Sequence, residues 1–458
     1  MDVVTEQTLC PIFENAIQTP QAPALFTDER TWTYLEIDCA VNALCSYLKR
    51  AGVQKGDRVA FIAKMHTSTI LLFFALFRLS AAACPLSFRI PKEQIESRLT
   101  DLSISHFFTP ELLPLTDEST SFETIELKAP ATLLLTSGSS GTPKAACHCF
   151  SHHHYSALGA THDLKLESSS RWLLSLPLFH VSGISILLRC FQNGAAVVLS
   201  SFPTPEAIAK YRISHLSQVP TQLYRFLKEP DLTFTHSLQC LLLGGAPLSP
   251  DLIRQALEKN IPIFTTYGMT EMSSMITLSE KHPSTVGKVL PFRELKVEKD
   301  GEIWVKGKTL FEGYWDPVKK TVIKQESDWF PTKDLGRLTK NGELEILGRK
   351  DRQFISGGEN IQPEEIEQAL CTVPGILQAS VLPVSDPEFG KRPIAFIHDE
   401  TESHTLESIR QALHRTIPSF KHPIAILPYP EQMGLKPSLS ALRQHLSQIP
   451  EWALRSQE

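Results

Sequence analysis

The chain has 458 residues, of which 42% are hydrophobic and 21% charged, a composition typical of a globular protein with two or three hydrophobic cores. Its formal net charge of −5 and its lack of a long basic run argue against nucleic acid as the main partner. The most apolar run, residues 70–77, is far shorter than the roughly 18 residues of a membrane-spanning helix, so no membrane span is predicted.

The N-terminus and the cysteines indicate a cellular compartment. The first ten residues, MDVVTEQTLC, lack the basic flank and the apolar core of a secretory signal. The nine cysteines are odd in number and mostly isolated, which favours reduced thiols over a disulfide framework. Both features predict a cytoplasmic protein.

Helical and strand patterns alternate through the first 260 residues. Apolar residues recur at helical spacing over 32–50, and the following segments predict a strand at 58–62, a buried helix at 68–78 and a strand at 81–86. The alternation continues at 172–176, 184–191, 195–199, 205–211, 241–243 and 252–259. Such alternation predicts an α/β protein with mainly parallel sheets covered by helices.

The pattern changes after Ser284, where short strands and glycine turns at 296–305 and 344–347 predict a small β subdomain. A charged connection follows at 349–351. Beyond it, the segments 363–370, 380–384, 393–398 and 406–414 predict a compact α/β unit of usual domain size. We therefore predict an N-terminal domain over residues 1–349 and a C-terminal domain over residues 350–458.

Residues 133–144, LLLTSGSSGTPK, have the composition of a phosphate-binding loop. Gly138 and Gly141 allow positive φ, so that successive N–H groups can point at an anion, and Lys144 supplies a positive charge. Further hydroxyl donors are Thr136, Ser137, Ser139, Ser140 and Thr142. Pro143 and Ala145 exclude a Walker A loop, which needs glycine before the lysine and Ser or Thr after it. Taken alone, the stretch could also be a polar surface turn.

Four later motifs occur in the order that one enzyme superfamily has: YGMTE at 267–271, WFPTKDLG at 329–336, GRKDRQFISGGENIQPEEIE at 348–367 and GLK at 434–436. Together with the loop, they resemble the adenylate-forming enzymes, which include acyl-CoA synthetases, adenylation domains and luciferases. The resemblance implies that a small carboxylic acid reacts with ATP, in the presence of Mg²⁺, to give an acyl-adenylate. The thiol of CoA then attacks this adenylate. A homo-oligomer is compatible with the resemblance.

The resemblance also implies roles for individual residues of the nucleotide site. Tyr267, next to Gly268, stacks on adenine, Thr270 contacts the α-phosphate and Glu271 holds Mg²⁺. Asp334 and Arg349 bind the ribose, although either could be half of a surface ion pair, and Lys333 replaces the usual glycine. The segment that contacts adenine corresponds to Gly244, Gly245 and Ala246, although a turn at the start of a helix would explain these three residues about as well.

The resemblance implies that the domain over residues 1–349 binds ATP and the acid, and that the domain over residues 350–458 is mobile. Three further roles fall in the C-terminal region. Asp351 corresponds to the hinge, and Gly357 with Gly358 is suited to line a tunnel for the pantetheine arm of CoA. Lys436 matches the lysine that bridges the acid and the α-phosphate. This match is weakened by Leu439, which replaces a usual arginine, and Lys421 is the alternative lysine.

A cluster of potential metal ligands directly follows the loop: Cys147, His148, Cys149, His152, His153 and His154. The cluster lacks the paired CxxC spacing of a structural zinc site. We therefore predict a strand that leads into a helix here, although adventitious metal binding stays open.

The acid is indicated by a closer resemblance, which WLLSLPLFHVSG, VPTQL, LLLGGA and EGYW carry, to the 2-succinylbenzoate–CoA ligases of menaquinone biosynthesis. This substrate has a second carboxylate, and Arg189, isolated in an apolar segment, could bind it. His180 is a candidate for the pocket wall, or a satisfied buried histidine, and Ser217 and Thr221 offer hydroxyls. The alternatives are a general medium-chain or aryl acyl-CoA synthetase, an adenylation enzyme that loads a carrier protein, and an inactive binding protein.

Overall fold

The computed structural model describes residues 6–113, 121–136, 144–200, 204–229, 232, 236–245, 250–280, 285–399, 404–430 and 439–449. The described α-helices are α1 (Pro11–Gln18), α2 (Tyr34–Arg50), α3 (Thr67–Arg78), α4 (Lys92–Asp101), α5 (Phe150–Thr161), α6 (Val181–Gln192), α7 (Pro205–Tyr211), α8 (Pro220–Leu227), α9 (Pro250–Glu258), α10 (Pro363–Leu370), α11 (Leu406–Leu413) and α12 (Leu439–Leu446).

The described β-strands are β1 (Gln7–Leu9), β2 (Pro23–Phe26), β3 (Thr31–Thr33), β4 (Arg58–Ile62), β5 (Ala82–Leu86), β6 (His106–Phe108), β7 (Thr124–Glu126), β8 (Pro130–Thr136), β9 (Lys144–Cys149), β10 (Arg171–Leu173), β11 (Ala196–Val198), β12 (His215–Gln218), β13 (Cys240–Leu243), β14 (Ile263–Thr265), β15 (Gly268–Met269), β16 (Ser274–Met275), β17 (Thr277–Glu280), β18 (Lys288–Val289), β19 (Arg293–Val297), β20 (Glu302–Gly307), β21 (Gly313–Asp316), β22 (Thr321–Lys324), β23 (Phe330–Leu338), β24 (Leu344–Arg349), β25 (Phe354–Ser356), β26 (Glu359–Ile361), β27 (Ile376–Asp386), β28 (Gly390–Asp399) and β29 (Ile426–Pro428).

Two large sheets form the centre of the molecule. The first has nine strands in the order β18, β17, β14, β13, β12, β10, β11, β2, β3, and its neighbours from β14 to β2 are parallel. The second has seven strands in the order β22, β21, β9, β8, β5, β4, β6, with parallel pairing from β8 to β6. The other neighbours in the two sheets, β8 and β9 among them, pair antiparallel, and they are fewer than the parallel pairs. The prediction of parallel-rich sheets is confirmed.

Helices bury their apolar faces against both sheets. The largest hydrophobic cluster joins α2, α3, α5 and α6 to side chains of the two sheets, while α7, α8 and α9 cover the other face of the nine-stranded sheet. Every residue from Ser68 to Arg78 in α3 is buried, which explains the apolar run in the sequence. Arg78 can be buried because its guanidinium lies 2.5 Å from the Asp38 carboxylate.

The region after Ser284 forms two different structures. Strands β19, β20, β23 and β24 make the predicted small antiparallel sheet. Strands β21 and β22, however, leave this unit and extend the seven-stranded sheet, where β21 pairs with β9. The prediction that one β subdomain follows Ser284 is therefore wrong for residues 313–324, because a long-range backbone pairing places them elsewhere.

The C-terminal region has its own core. Helices α10 and α11 pack on β27 and β28, and a second cluster joins β28 to α12. This arrangement agrees with the predicted small α/β unit. The boundary at Lys350 and the mobility of the unit stay predictions.

Gly183 lies in the first turn of α6, close to the backbone of Pro177. A Cβ atom at this position would lie 2.3 Å from the Pro177 carbonyl oxygen, so the helix would have to shift. We expect Gly183→Ala to lower the free energy of unfolding by roughly 1–3 kcal/mol, the usual cost of overpacking. The neighbouring Ser182→Ala should change it by less than about 0.5 kcal/mol. Urea denaturation measures both, and equal stability of the two variants would contradict the expectation.

Candidate active site

The predicted phosphate-binding loop connects two paired strands. Thr136 ends β8 and Lys144 begins β9, and these two residues face each other in the antiparallel pair. The Thr136 hydroxyl donates to the Lys144 carbonyl oxygen over 3.3 Å. The residues Ser137, Gly138, Ser139, Ser140, Gly141 and Thr142 lie outside the described residues, as do Ala246, Lys436 and the side chain of Thr221.

A tyrosine from β21 brings the loop lysine and the predicted magnesium ligand together. Glu271 is buried in a short 3₁₀ turn, and the Tyr314 hydroxyl donates to its Oε1 over 2.5 Å. The Lys144 ammonium lies 5.1 Å from the centre of the Tyr314 ring. Burial, and then the Glu271 charge, raise the pKa of Tyr314, so its hydroxyl stays a donor. The sequence analysis did not single out Tyr314, although it lies in the EGYW motif.

The predicted ribose site is assembled from three elements. The Tyr267 hydroxyl donates to Asp334 Oδ2 over 2.5 Å, and the Arg349 guanidinium donates to Oδ1 over 3.0 Å. Burial raises the pKa of Asp334, whereas its hydrogen bonds from Tyr267 and Arg349 act in the opposite direction. The structure thus brings together the residues predicted for adenine and for ribose.

Small residues surround this position. Gly245 follows β13 with φ +79°, and no atom of the described residues, its chain neighbours apart, lies within 4 Å of where its Cβ would be. A ligand could therefore approach the backbone from this side. Gly244, just before it, packs against Thr266. Gly268 has no room for a side chain, because a Cβ would lie 2.2 Å from the Ser274 carbonyl oxygen.

The predicted hinge is held by ion pairs. Arg349 donates to both oxygens of Asp351, over 3.1 and 2.9 Å, while it also contacts Asp334. Asp351 lies in a 3₁₀ turn at the start of the C-terminal region. Further along, Gly357 and Gly358 form the exposed turn between β25 and β26, both with positive φ. The roles of Asp351 and of the two glycines stay predictions.

Arg189 is buried inside the N-terminal domain, with 1% of its surface exposed. Its Nη2 donates to the Ser274 hydroxyl over 3.2 Å, and its guanidinium carbon lies 5.7 Å from the Trp172 ring centre. Its Nε has no hydrogen-bond partner, and no carboxylate of the described residues forms an ion pair with it. Burial lowers the pKa of Arg189 to about 10, which leaves the side chain charged at neutral pH.

Two other residues predicted for the pocket are described: His180 precedes the helix that carries Arg189, and Ser217 contacts Trp172. His180 is exposed just before α6, with its ring 4.6 Å from the Phe179 ring, so the alternative of a buried histidine is excluded. Ser217 is buried, and its hydroxyl accepts a hydrogen bond from the Trp172 indole over 3.1 Å. Ser217 therefore supports the ring next to Arg189, and its direct contact with substrate stays a prediction.

Two of the histidines that follow the predicted loop, His148 and His153, belong to a chain of hydrogen bonds, here called the relay, which was not predicted from the sequence. The Thr132 hydroxyl lies 2.8 Å from His153 Nε2 and 3.2 Å from His148 Nδ1. His148 Nε2 donates to the Thr270 carbonyl oxygen over 2.8 Å. The relay thus anchors the backbone of the segment that carries Glu271. Burial lowers the pKa of His148 to about 3, so the ring is neutral.

Both cysteines of the same cluster lie in β9, which leads into α5, so the predicted strand and helix are present. Ligand atoms of Cys149, His152 and Glu312 lie within 4.8 Å of one another. However, His152 Nδ1 accepts a hydrogen bond from the Cys149 backbone N–H over 3.0 Å, so its proton is on Nε2. A protonated ring nitrogen offers no lone pair to a metal ion. This geometry favours a hydrogen-bonded helix start over a metal centre.

Two models of known protein families match this chain. The profile described as "AMP-binding enzyme" matches residues 12–315, and "AMP-binding enzyme C-terminal domain" matches residues 365–433. The chain belongs to the AMP-binding enzyme family. None of the described helices is both long and apolar enough to cross a membrane.

Relatives of this family member carry a more specific name. The 2-succinylbenzoate–CoA ligase of Haemophilus influenzae is 35% identical over 92% of this chain and 94% of that protein. The Escherichia coli enzyme of the same name is 34% identical over 95% of this chain and 96% of its own.

Solved structures resemble the same fold over nearly the whole chain. The o-succinylbenzoate CoA synthetase from Bacillus subtilis, in complex with the acyl-adenylate intermediate OSB-AMP, is 26% identical with a TM-score of 0.86, over 97% of this chain and 99% of that chain. The Bacillus subtilis enzyme in complex with ATP and magnesium ion is 27% identical with a TM-score of 0.82, over 92% and 96%. The fold of this family member is therefore that of an adenylate-forming enzyme with a large N-terminal and a small C-terminal domain.

The buried, neutral His148 makes stability depend on pH. The pKa of His148 in the folded state is below its value near 6.5 in the unfolded state. Its contribution to the free energy of unfolding is therefore complete above about pH 6.5 and is lost as the pH falls toward 3. We expect His148 to account for about 2 kcal/mol of the stability lost between pH 7 and pH 5. Denaturant unfolding at the two pH values should show a smaller loss for His148→Gln than for wild type. Exposed His162→Gln is the control and should keep the wild-type loss.

The geometry around Asp334 predicts a selective effect on ATP. If both of its oxygens turn to the ribose hydroxyls, Asp334→Ala removes hydrogen bonds to a charged group, each worth about 1.5–3 kcal/mol. Two such bonds together are worth about 3 kcal/mol or more, so we expect the KM for ATP to rise at least about 100-fold, while the KM for CoA changes little. Steady-state kinetics with each substrate varied in turn measures this, with the surface variant Asp163→Ala as control. An equal rise in both KM values would instead indicate a structural role for Asp334.

Proposed function

We propose that this chain is a 2-succinylbenzoate–CoA ligase that forms an acyl-adenylate from the acid and ATP and then transfers the acyl group to CoA. AMP and pyrophosphate are released. The relatives of this name cover more than nine tenths of the chain, which supports the whole reaction rather than one half of it. The name also supports a place in menaquinone biosynthesis.

The observation that carries this proposal is Arg189, which is buried and has no ion-pair partner among the described residues. A buried charge without a partner is costly, and an anionic ligand would offset this cost. The acid 2-succinylbenzoate has two carboxylates, so that one can react while the other binds a guanidinium. A general acyl-CoA synthetase with a monocarboxylic substrate would have no use for this charge.

The residues proposed for the acid and those proposed for the nucleotide are close together in sequence. Ser274, which binds Arg189, follows Glu271 by three residues, and β16 pairs with the Gly268–Met269 strand of the nucleotide site. The reacting carboxylate could therefore lie near the α-phosphate while the second one contacts Arg189. His180, exposed at the start of the same helix, forms part of the pocket wall in this proposal.

The donor set at Glu271 fits magnesium. The carboxylate is a hard oxygen ligand of the kind Mg²⁺ prefers, and its Oε2 receives no hydrogen bond from a described residue. Glu271 would hold the ion, which when bound offsets the negative charge of the phosphates. Lys144, close to Tyr314, would add a positive charge on the side of the phosphate loop.

The protein's own groups then act on a substrate that is hard to activate. A carboxylate oxygen forms a bond to the α-phosphorus, and the bond to pyrophosphate breaks. Thr270 and Lys144 stabilise the negative charge of the transition state, and Lys436 is assigned to the same task from its motif alone. In the second step the CoA sulfur bonds to the acyl carbon, AMP leaves and the thiol proton goes to solvent.

The C-terminal domain and the compartment complete the proposal. The domain boundary is placed at Lys350, where Arg349 and Asp351 form the junction described above. Rotation about this junction would present Gly357 and Gly358 to the pantetheine arm for the second step. The nine cysteines are free thiols, which supports a cytoplasmic enzyme.

The experiment that tests the proposal measures pyrophosphate release with a panel of acids, with and without CoA. We expect wild-type enzyme to use 2-succinylbenzoate and to reject the methyl ester of its non-reacting carboxylate. Arg189→Ala should weaken binding of the diacid by about 2–5 kcal/mol, the usual cost of truncating one member of a buried charge pair. The KM for ATP should stay within about twofold of wild type.

The matched control is Arg171→Ala, which removes a partly exposed arginine of the neighbouring strand that donates to the Tyr211 carbonyl oxygen. This variant should keep the preference for the diacid. Equal turnover of acid and ester by wild-type enzyme would contradict both the role of Arg189 and the succinylbenzoate assignment. A requirement for a carrier protein in place of CoA would indicate an adenylation module.

A further inference from the structure

Two successive serines directly after the Glu271 turn adopt an unusual backbone conformation. Ser273 has φ +54° and Ser274 has φ +110°. Positive φ is uncommon for residues with a Cβ, and such strain persists only where the surroundings impose it. Observed strain of this kind often marks a functional position.

Neighbouring residues impose this backbone conformation on Ser273 and Ser274. The Ser156 hydroxyl donates to the Ser273 carbonyl oxygen over 2.6 Å, and the Ser273 hydroxyl donates to the Thr309 carbonyl oxygen over 3.0 Å. On the other side, Gly268 packs so closely on the Ser274 carbonyl oxygen that no Cβ would fit. The turn is therefore held by its neighbours rather than by its own preference.

The result of this turn is the position of one hydroxyl. The Ser274 oxygen accepts from Arg189 Nη2 over 3.2 Å and lies 3.3 Å from the Ser185 oxygen. The Ser185 proton is used for the Ser182 carbonyl oxygen at 2.9 Å, so Ser274 donates to Ser185. Both hydrogen-bonding roles of Ser274 are then occupied. It therefore acts on a ligand through Arg189 and does not contact the ligand itself.

A second buried arginine strengthens the need for an anion here. Arg293 donates to the carbonyl oxygens of Met275, Pro291 and Ser156, and no carboxylate of the described chain pairs with it. Burial, and then the charge of Arg189, lower the pKa of Arg293 to about 9. Two guanidinium groups thus share one buried region with only neutral partners, and an anionic ligand would be attracted to it.

We propose that Ser274 is a positioning residue that determines specificity: the strained turn holds its hydroxyl against one arm of Arg189, so that the unpartnered Nε edge faces the second carboxylate of the acid. This inference rests on the proposed function and adds a residue to it. The ligand class is an acid with two carboxylates, of which only one is activated.

Two variants separate the hydroxyl from the backbone strain. Ser274→Ala removes the hydroxyl and keeps the strain, whereas Ser274→Gly removes the hydroxyl and relieves the strain, because glycine tolerates positive φ. We expect both to raise the KM for 2-succinylbenzoate about tenfold, as the loss of one hydrogen bond to a charged group would do. The preference for the diacid over its methyl ester should fall by the same factor. The KM for ATP and kcat should stay within about twofold.

The melting temperatures of the two variants distinguish a positioning role of Ser274 from a structural one. Ser274→Gly should melt at or above the wild-type temperature, and Ser274→Ala should melt below Ser274→Gly. The matched control is Ser103→Gly, a serine with φ +48° at the end of α4, whose hydroxyl has no described partner. It should raise the melting temperature and leave every KM unchanged.

The outcomes distinguish this inference from the proposed function. Wild-type turnover of the diacid with unchanged KM in both Ser274 variants would overturn the inference alone. So would a parallel loss in kcat, both KM values and melting temperature, because that pattern belongs to a structural residue. A wild-type enzyme that does not activate the diacid would overturn the proposed function, and this inference with it.

Discussion

The pairing of β21 with β9 is the constraint on which the candidate site depends. It joins residues 145–147 to residues 313–315, which are far apart in sequence, through main-chain hydrogen bonds. Because side chains alternate along a strand, Tyr314 lies on the same side as Ala146 and Lys144, toward Glu271. A shift of one residue in this register would turn Tyr314 to the opposite face and separate the lysine from the carboxylate.

Buried charge distinguishes the proposed acid pocket from the rest of the described protein. Arg78 lies 2.5 Å from Asp38, and Arg352 lies 2.6 Å from Glu367, so each of these buried or half-buried cations has a carboxylate. Arg189 and Arg293 have only neutral partners. Since the same chain pairs its structural arginines, the unpaired ones are better explained by a ligand than by stability. The strained turn at Ser274 lies between them, next to the nucleotide segment.

Local sequence patterns predicted helices and strands well where apolar residues mark the buried positions. The helices α2 and α3 and the short strands β10, β11 and β13 of the nine-stranded sheet were predicted, because their side chains reflect burial directly. The strands β2, β3, β12, β17 and β18 of the same sheet were not predicted. Arg189 could be found as a charge in an apolar helix. Ser182 and Ser185 precede it at helical spacing on the same face, a signal that was present and not used.

The sequence by itself determined the alternation of helices and strands, the order of the motifs and the residue types that can bind a nucleotide and an anion. Only the tertiary structure decided that β21 joins the seven-stranded sheet, that Tyr314 meets Glu271, that the relay from Thr132 through His148 holds Thr270, and that Ser274 contacts Arg189. The physical reason is the sequence separation over which each interaction acts. Propensity and periodicity act within one element, whereas these contacts depend on how distant elements pack, and no local pattern encodes that packing.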